Sequence, residues 1–404
     1  MLVIGAGLYV CGRGTSTYGT VLPTLVQAQS QELIGDIWVA ATARDSIKTL
    51  QDKLNELNAR MGTHVQVKGY PVDSQRDPFA YRQVLKELPR PACAIVVVPD
   101  QLHTPITADV IRAGVHPLVV KPLTPSLREA HELIELAENG NVYGAVEFHK
   151  RFDEANLVLR QTLANGRLGD LRYITVEYSQ RRLIRQTFQS WIRHTNVFQY
   201  LGVHYVDLIY FITGARPVRV LAAGQPSIPV TENLSSLDAI QALVEWKLQG
   251  SEESFISTLV TNWIDADASS AMSDQRITVV GTSGRFQSDQ KNRGVQVVTD
   301  QGVEDINPYF THCYADATGD FTVRGYGPRS IRQFLTDVRD LSEGRRDLSE
   351  LASNRPSFQQ GLVSTAVIEA VNRSLSQGGG WVTIGQEGLP SSHKVRPFPR
   401  TGSM

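Results

Sequence analysis

Residues 92–98 read ACAIVVV, an almost unbroken apolar run that ends at once in Pro99-Asp100-Gln101-Leu102-His103. A strand of that composition fits a sheet covered on both faces, the usual situation of parallel strands flanked by helices. Residues 118–120 repeat the pattern and stop at Lys121, a charge that must leave the sheet, and Pro122, which cannot extend a ladder. Further strands are expected at 2–4, 36–41, 64–67 and 142–148. Helical spacing fills the intervals, as at Ile47, Leu50, Leu54, Leu57 and Met61 before Gly62. This alternation predicts a doubly wound parallel sheet over residues 1–148. Ligands of such sheets bind outside the carboxyl ends of the strands, so position alone makes Lys121 a candidate for chemistry.

The first strand runs into Gly5-Ala6-Gly7, where a Rossmann strand turns into its phosphate-facing helix. Gly12 lies five residues past Gly7, not three, and Gly14 and Gly19 follow. We read a lengthened loop whose glycines and hydroxyls, Thr15 and Ser16 among them, wrap phosphate; the alternative is a merely flexible loop. Where a fold that prefers NAD places a carboxylate for the ribose, this chain has Thr42 or Ala43, with Arg44 adjacent and Lys48 one turn on. Those donors favour NADP(H) over NAD(H). Asp45 is assigned to capping the following helix. Pro99 and His103 complete the cofactor-binding candidates, with a capping or core histidine as the plain alternative for His103. Thr124 and Pro125 are expected to start a helix that runs to Gly140.

From residue 149 the pattern changes. A helix at 152–163 precedes strands at 171–180, 218–224, 239–248, 255–263, 276–280 and 295–298. Tyr173, Thr175, Glu177 and Ser179 alternate with Ile174, Val176 and Tyr178, as in an antiparallel sheet with one buried face. The other face predicts a homodimer or homotetramer through this sheet. Helices at 330–343 and 358–376 and a strand at 381–384 close the fold. The expected domains are therefore 1–148, 149–385 and an irregular tail, 386–404. In the helical segment 196–211, Asn196, Tyr200, His204 and Asp207 follow at intervals of four, four and three, which gives a polar stripe on one face. Such a stripe is costly to bury without partners, and Gly202 within it implies a close approach. A structural hydrogen-bond network accounts for the same stripe.

With 404 residues, 41% of them apolar, the chain is long enough for two cores. A net charge of -1 gives no basic face for nucleic acid. Three scattered cysteines, Cys11, Cys93 and Cys313, argue against a disulfide framework and against a metal site. No apolar run approaches a membrane span and no charged leader precedes the first strand, so a cytoplasmic protein is expected.

The amino-terminal GAG, VVVPDQLH, the KP after VV, FHKRF and LGVHYVDL occur in an order and at separations that resemble the Gfo/Idh/MocA oxidoreductases. The resemblance implies a Rossmann domain joined to an α/β domain with a large, mostly antiparallel sheet. It further implies hydride transfer between a nicotinamide cofactor and a secondary alcohol or carbonyl of a sugar, cyclitol or nucleotide-linked sugar. Lys121 would contact the nicotinamide ribose and the reacting oxygen, and His204 would exchange the substrate's proton. Arg151, Asn196, Tyr200 and Asp207 join these two as substrate-binding candidates. Two departures stand out: Val120 replaces the glutamate common before Lys-Pro, and Tyr200 replaces an aspartate often found four residues before the histidine. Those departures keep two alternatives open, a non-catalytic cofactor-binding regulator and an NAD-dependent glycosidase of the same family.

Overall fold

The computed structural model describes residues 1–188, 191–226, 237–248, 253–386 and 388–390, so the expected tail lies from residue 391 onward outside the described residues. The chain forms two compact units. One comprises Met1–Thr124, Arg128–Phe152 and Tyr309–Gly361; the other comprises Pro125–Leu127, Asp153–Pro308 and the described residues from Leu362 onward.

The first unit begins with β1 (Leu2–Ile4), α1 (Leu8–Cys11), α2 (Val21–Ser30), β2 (Ile37–Ala40), α3 (Arg44–Met61) and β3 (Val67–Tyr70). It continues through α4 (Ala80–Glu87), β4 (Cys93–Val96), α5 (His103–Arg112), β5 (His116–Val120), α6 (Leu127–Asn139) and β6 (Ala145–Glu147). All six strands are parallel, in the order β3-β2-β1-β4-β5-β6. Winding reverses between β1 and β4, the place where doubly wound sheets open a ligand crevice. The helical stripe of α3 is buried as its spacing requires, with Leu50, Leu54 and Leu57 at most 1% exposed.

Three local expectations are corrected here. The third strand starts at Val67 because the Asn58 side chain ties down the preceding residues: its Nδ2 donates to Val65 O at 2.9 Å, and its Oδ1 accepts from Val65 N at 3.2 Å. Asp45 lies in the first turn of α3 behind Ala43 and makes no cap bond. The backbone there is satisfied by another segment, since Arg44 N donates to Gln75 O at 3.1 Å and Asp77 N to Thr42 O at 2.9 Å. Helix α6 begins at Leu127, beyond Thr124, which is fully buried, and beyond Pro125.

The second unit holds α7 (Glu154–Ala164), β7 (Leu171–Arg181), α8 (Arg182–Thr187), α9 (Val203–Thr213), β8 (Arg216–Pro226) and β9 (Leu237–Lys247). Next come β10 (Ser254–Asp265), β11 (Ser273–Gly281), β12 (Gly284–Asp289), β13 (Gln296–Thr299) and β14 (Gly302–Asp305). The chain then makes the hairpin β15 (His312–Ala315) and β16 (Phe321–Arg324), then α10 (Tyr326–Ser342), α11 (Leu348–Asn354), α12 (Phe358–Ser376) and β17 (Val382–Thr383). A seven-stranded sheet runs β12-β11-β7-β10-β9-β8-β17. Its neighbours are antiparallel except for the parallel pair β7 and β10. Alternation along β7 is as expected: Ile174 and Val176 are fully buried while Tyr173 is 48% exposed. The strand expected at 295–298 is not part of this sheet; β13 pairs only with β14, in a separate ribbon.

Segment Tyr309–Gly361, expected within 149–385, packs with the first unit. Ile331, Phe334, Leu335 and Val338 of α10 and Leu351 of α11 share a core with Val3, Leu22 and Leu25. A boundary at 148/149 therefore marks only the chain's first departure from that unit. Among the described residues no helix is long and apolar enough to cross a membrane, and no group of three or more His, Cys, Asp or Glu is placed to hold a metal ion.

Candidate active site

At the end of β1 the backbone itself dictates glycine. Gly5 has φ 118°, and a Cβ there would stand 2.0 Å from Val97 O at the end of β4. Gly7 precedes α1 with nothing within 4 Å of a Cβ, so the turn leaves open space beside the first helical turn. Gly12 and Thr15 have other duties. Gly12 ends α1 in the left-handed region at φ 67°, where a Cβ would lie 2.1 Å from Thr17 O. The Thr15 hydroxyl donates to Gly12 O and lies 2.8 Å from Thr17 Oγ1. The phosphate-facing helix of the ordinary fold is thus split into α1 and α2, and the extra glycines shape the turn between them.

Thr42 and Arg44 are exposed at the end of β2. Arg13, from the turn after α1, reaches the same region and donates from Nη1 to Ser46 Oγ at 2.8 Å. No local sequence pattern pointed to Arg13; only the folded turn brings it to the first turn of α3. Pro99 precedes the short helical turn Asp100–Leu102. His103 is 1% exposed, with Nε2 3.0 Å from Val98 O and Nδ1 2.7 Å from Pro122 O. The imidazole therefore ties the end of β4 to the segment after β5, which accounts for it without a cofactor.

Lys121 leaves the end of β5 and is only 9% exposed. Burial pushes its ammonium down to about 8, while the carboxylates of Asp100 and Glu147 act in the opposite sense. Val120 and Glu147 are register partners, so the charge missing before Lys121 is supplied from β6. Glu147 Oε2 lies 2.9 Å from His149 Nδ1. That imidazole packs against Tyr9, Phe310 and Tyr326, with ring centroids 6.4, 5.2 and 5.6 Å away. Asp100, Glu147 and His149 were missed by sequence reasoning. A usable signal existed for Glu147, since it ends an apolar strand just as Lys121 does.

Arg151 belongs to the first unit, is 6% exposed and donates to Gln360 Oε1. In the second unit, the segment 196–211 is not one continuous α-helix. A π-helical turn, Phe198–Gly202, precedes α9. Asn196 caps this turn, its Oδ1 accepting from Gln199 N at 2.9 Å while its Nδ2 donates to Asn372 Oδ1 at 2.7 Å. The uniform spacing argument therefore fails for Asn196, which stands outside the helix. Tyr200 sits edge-on to Phe188 with ring centroids 5.2 Å apart, and Trp263 lies 6.4 Å away. His204 and Asp207 are 5% and 1% exposed, and the His204 ring lies 6.2 Å from that of Tyr178. The close approach expected at Gly202 is made by Phe198, whose ring carbon would stand 2.7 Å from a Cβ.

Residues 38–148 match the model of an oxidoreductase family with an NAD-binding Rossmann fold, and residues 157–287 match the GFO/IDH/MocA C-terminal domain. UDP-N-acetylglucosamine 3-dehydrogenase of Acidithiobacillus ferrooxidans is 32% identical over 133 residues, covering 33% of this chain and 39% of that protein. Inositol 2-dehydrogenase of Rhizobium meliloti is 20% identical over 287 residues, covering 70% and 78%. Matches to several curated relatives span only 38–39% of those proteins' lengths. The crystal structure of an inositol dehydrogenase homolog from Azotobacter vinelandii, complexed with NADH and myo-inositol, superposes with a TM-score of 0.67. That likeness covers 95% of this chain and 96% of the other at 18% identity, and concerns the fold.

Proposed function

Because the chain belongs to the Gfo/Idh/MocA family of oxidoreductases, we propose that it is a nicotinamide-dependent dehydrogenase or reductase acting on CH-OH groups. Its substrate in this reading is a sugar, cyclitol or nucleotide-linked sugar, oxidised at a secondary alcohol or reduced at the corresponding carbonyl. The observation that carries the reading is the nearly buried Lys121 at a strand end of the doubly wound sheet, held between two carboxylates. The names of the relatives, dehydrogenases of inositol and of UDP-N-acetylglucosamine, supply the substrate class.

The glycine turn fits a dinucleotide, since Gly5 is forced by the backbone and Gly7 leaves open space beside the helix. When bound, the nicotinamide accepts or delivers the hydride. Lys121 in its ammonium form holds the substrate oxygen and stabilises the charge that develops there. His204 takes up the hydroxyl proton during oxidation and returns it during reduction. Tyr200 offers a phenol that donates a hydrogen bond but carries no charge at neutral pH. Arg44, Thr42 and the neighbouring Arg13 favour the 2'-phosphate of NADP(H).

Within the same proposal the protein is a cytoplasmic homodimer or homotetramer that associates through the large sheet. Tyr173 and Ile256, register partners 48% and 42% exposed, support that face as the interface. Nicotinamide absorbance followed with myo-inositol, scyllo-inositol and UDP-N-acetylglucosamine, with NAD and NADP in parallel, tests the activity. Turnover that survives Lys121→Ala combined with His204→Ala would remove the assigned roles.

A further inference from the structure

Three buried groups of the first unit meet around one lysine. Parallel pairing of β5 and β6 places Glu147 opposite Val120, so its carboxylate stands beside the point where the chain turns out to Lys121. Glu147 is 1% exposed, and one of its oxygens, Oε1, is buried without a hydrogen-bond partner. Oε2 is held by His149 Nδ1 at 2.9 Å, and three aromatic rings fix that imidazole in turn. A carboxylate with one oxygen pinned and the other unbonded is costly to bury unless a positive charge is near. Lys121 is that charge, and Asp100 is the second carboxylate that acts on it. Tyr9 faces Glu147 from α1, and the carboxylate together with burial raises the phenol well above its ordinary range, so Tyr9 stays neutral.

We propose that Glu147, pinned by His149, is the positioning residue that keeps the Lys121 ammonium charged and in place, a task that the residue directly before the lysine, Val120, cannot perform. Glu147 acts only through Lys121 and needs no contact with substrate or cofactor. His149 is part of the device because it fixes which carboxylate oxygen remains available. The inference rests on the proposed role of Lys121 for its functional meaning, but its physical content concerns one ion pair and is open to measurement without turnover.

Competitive labelling with acetic anhydride across pH 6–11, read by peptide mass spectrometry on the full-length protein, gives the protonation midpoint of Lys121. The exposed Lys86 provides the internal reference. Glu147→Gln is expected to lower the Lys121 midpoint by about 1 pH unit and to leave Lys86 unchanged. Glu147→Asp is expected to restore part of the shift. An unchanged Lys121 midpoint in Glu147→Gln overturns the proposal. A double-mutant cycle in urea combines Glu147→Gln with Lys121→Met: coupling supports the pair, whereas additive effects show a purely structural glutamate and overturn it. If the midpoint shifts while Lys121→Ala retains full turnover, the ion pair stands and the catalytic reading falls.

Discussion

Glu147 faces Val120 across the parallel strands β5 and β6, and so brings a carboxylate to Lys121 from a neighbouring strand. The consequence is a lysine that is nearly buried and yet compensated. Burial alone drives the ammonium towards its neutral form, and the two carboxylates limit how far it goes.

The buried lysine should leave a signature in the pH dependence of stability. Its folded midpoint, about 8, lies below the ordinary 10.5. Below about pH 8 the charge is present in both folded and unfolded states, and its desolvation weighs on the folded one. Between the two values the unfolded chain holds more protons, so stability rises with pH. Relative to Lys121→Met, wild-type protein should therefore gain on the order of 3 kcal/mol between pH 7 and 10.5. Urea unfolding of both proteins over this range checks the trend; a flat difference contradicts it.

Gly5 and Gly7 should separate stability from binding. Gly5→Ala forces a methyl against Val97 O and places alanine at φ 118°, which should cost at least about 3 kcal/mol. Gly7→Ala enters open space at φ -93°. It should alter stability by less than about 1 kcal/mol yet weaken cofactor binding about tenfold by keeping the pyrophosphate from the backbone. Denaturant midpoints and quenching of protein fluorescence by cofactor measure the two effects.

Arg44 and Arg13 should govern the choice of cofactor. Arg44→Asp is expected to reverse the preference by weakening NADP at least tenfold, about 1.4 kcal/mol, while sparing NAD. Arg13→Ala should act in the same direction through loss of the guanidinium held at Ser46. Titration calorimetry with each dinucleotide reads this directly, and equal loss of both ligands would point to structural damage.

The π-helical turn has a local test. Gly202→Ala places a methyl 2.7 Å from the Phe198 ring, so destabilisation of about 2 kcal/mol is expected. Phe198→Leu made in the same chain should recover part of the loss, because the two residues contend for one space. Thermal unfolding of the single and double variants shows whether the effects couple.

Much of the site's frame was legible from residue order. Period-two alternation on β7, the apolar runs of β4 and β5 and the glycine after β1 each record a local requirement of backbone or burial, so they place Gly5, Lys121 and His204 on elements without any coordinates. Asn58 could not be read in this way. Its amide holds residues 63–65 from a turn below and so moves the start of β3, a competition between side chain and ladder that has no periodic signal. The split helix α1/α2 escaped for a related reason: Gly12 looks the same in sequence whether it meets a phosphate or closes a helix in the left-handed region.

The sequence by itself determined a parallel doubly wound sheet followed by a largely antiparallel one, because period and composition are properties of neighbouring residues. Only tertiary structure decided that Tyr309–Gly361 returns to the first core and that Glu147, not residue 120, accompanies Lys121. Both outcomes depend on strand register and on which apolar stripes find each other, and such pairings join positions that are distant along the chain.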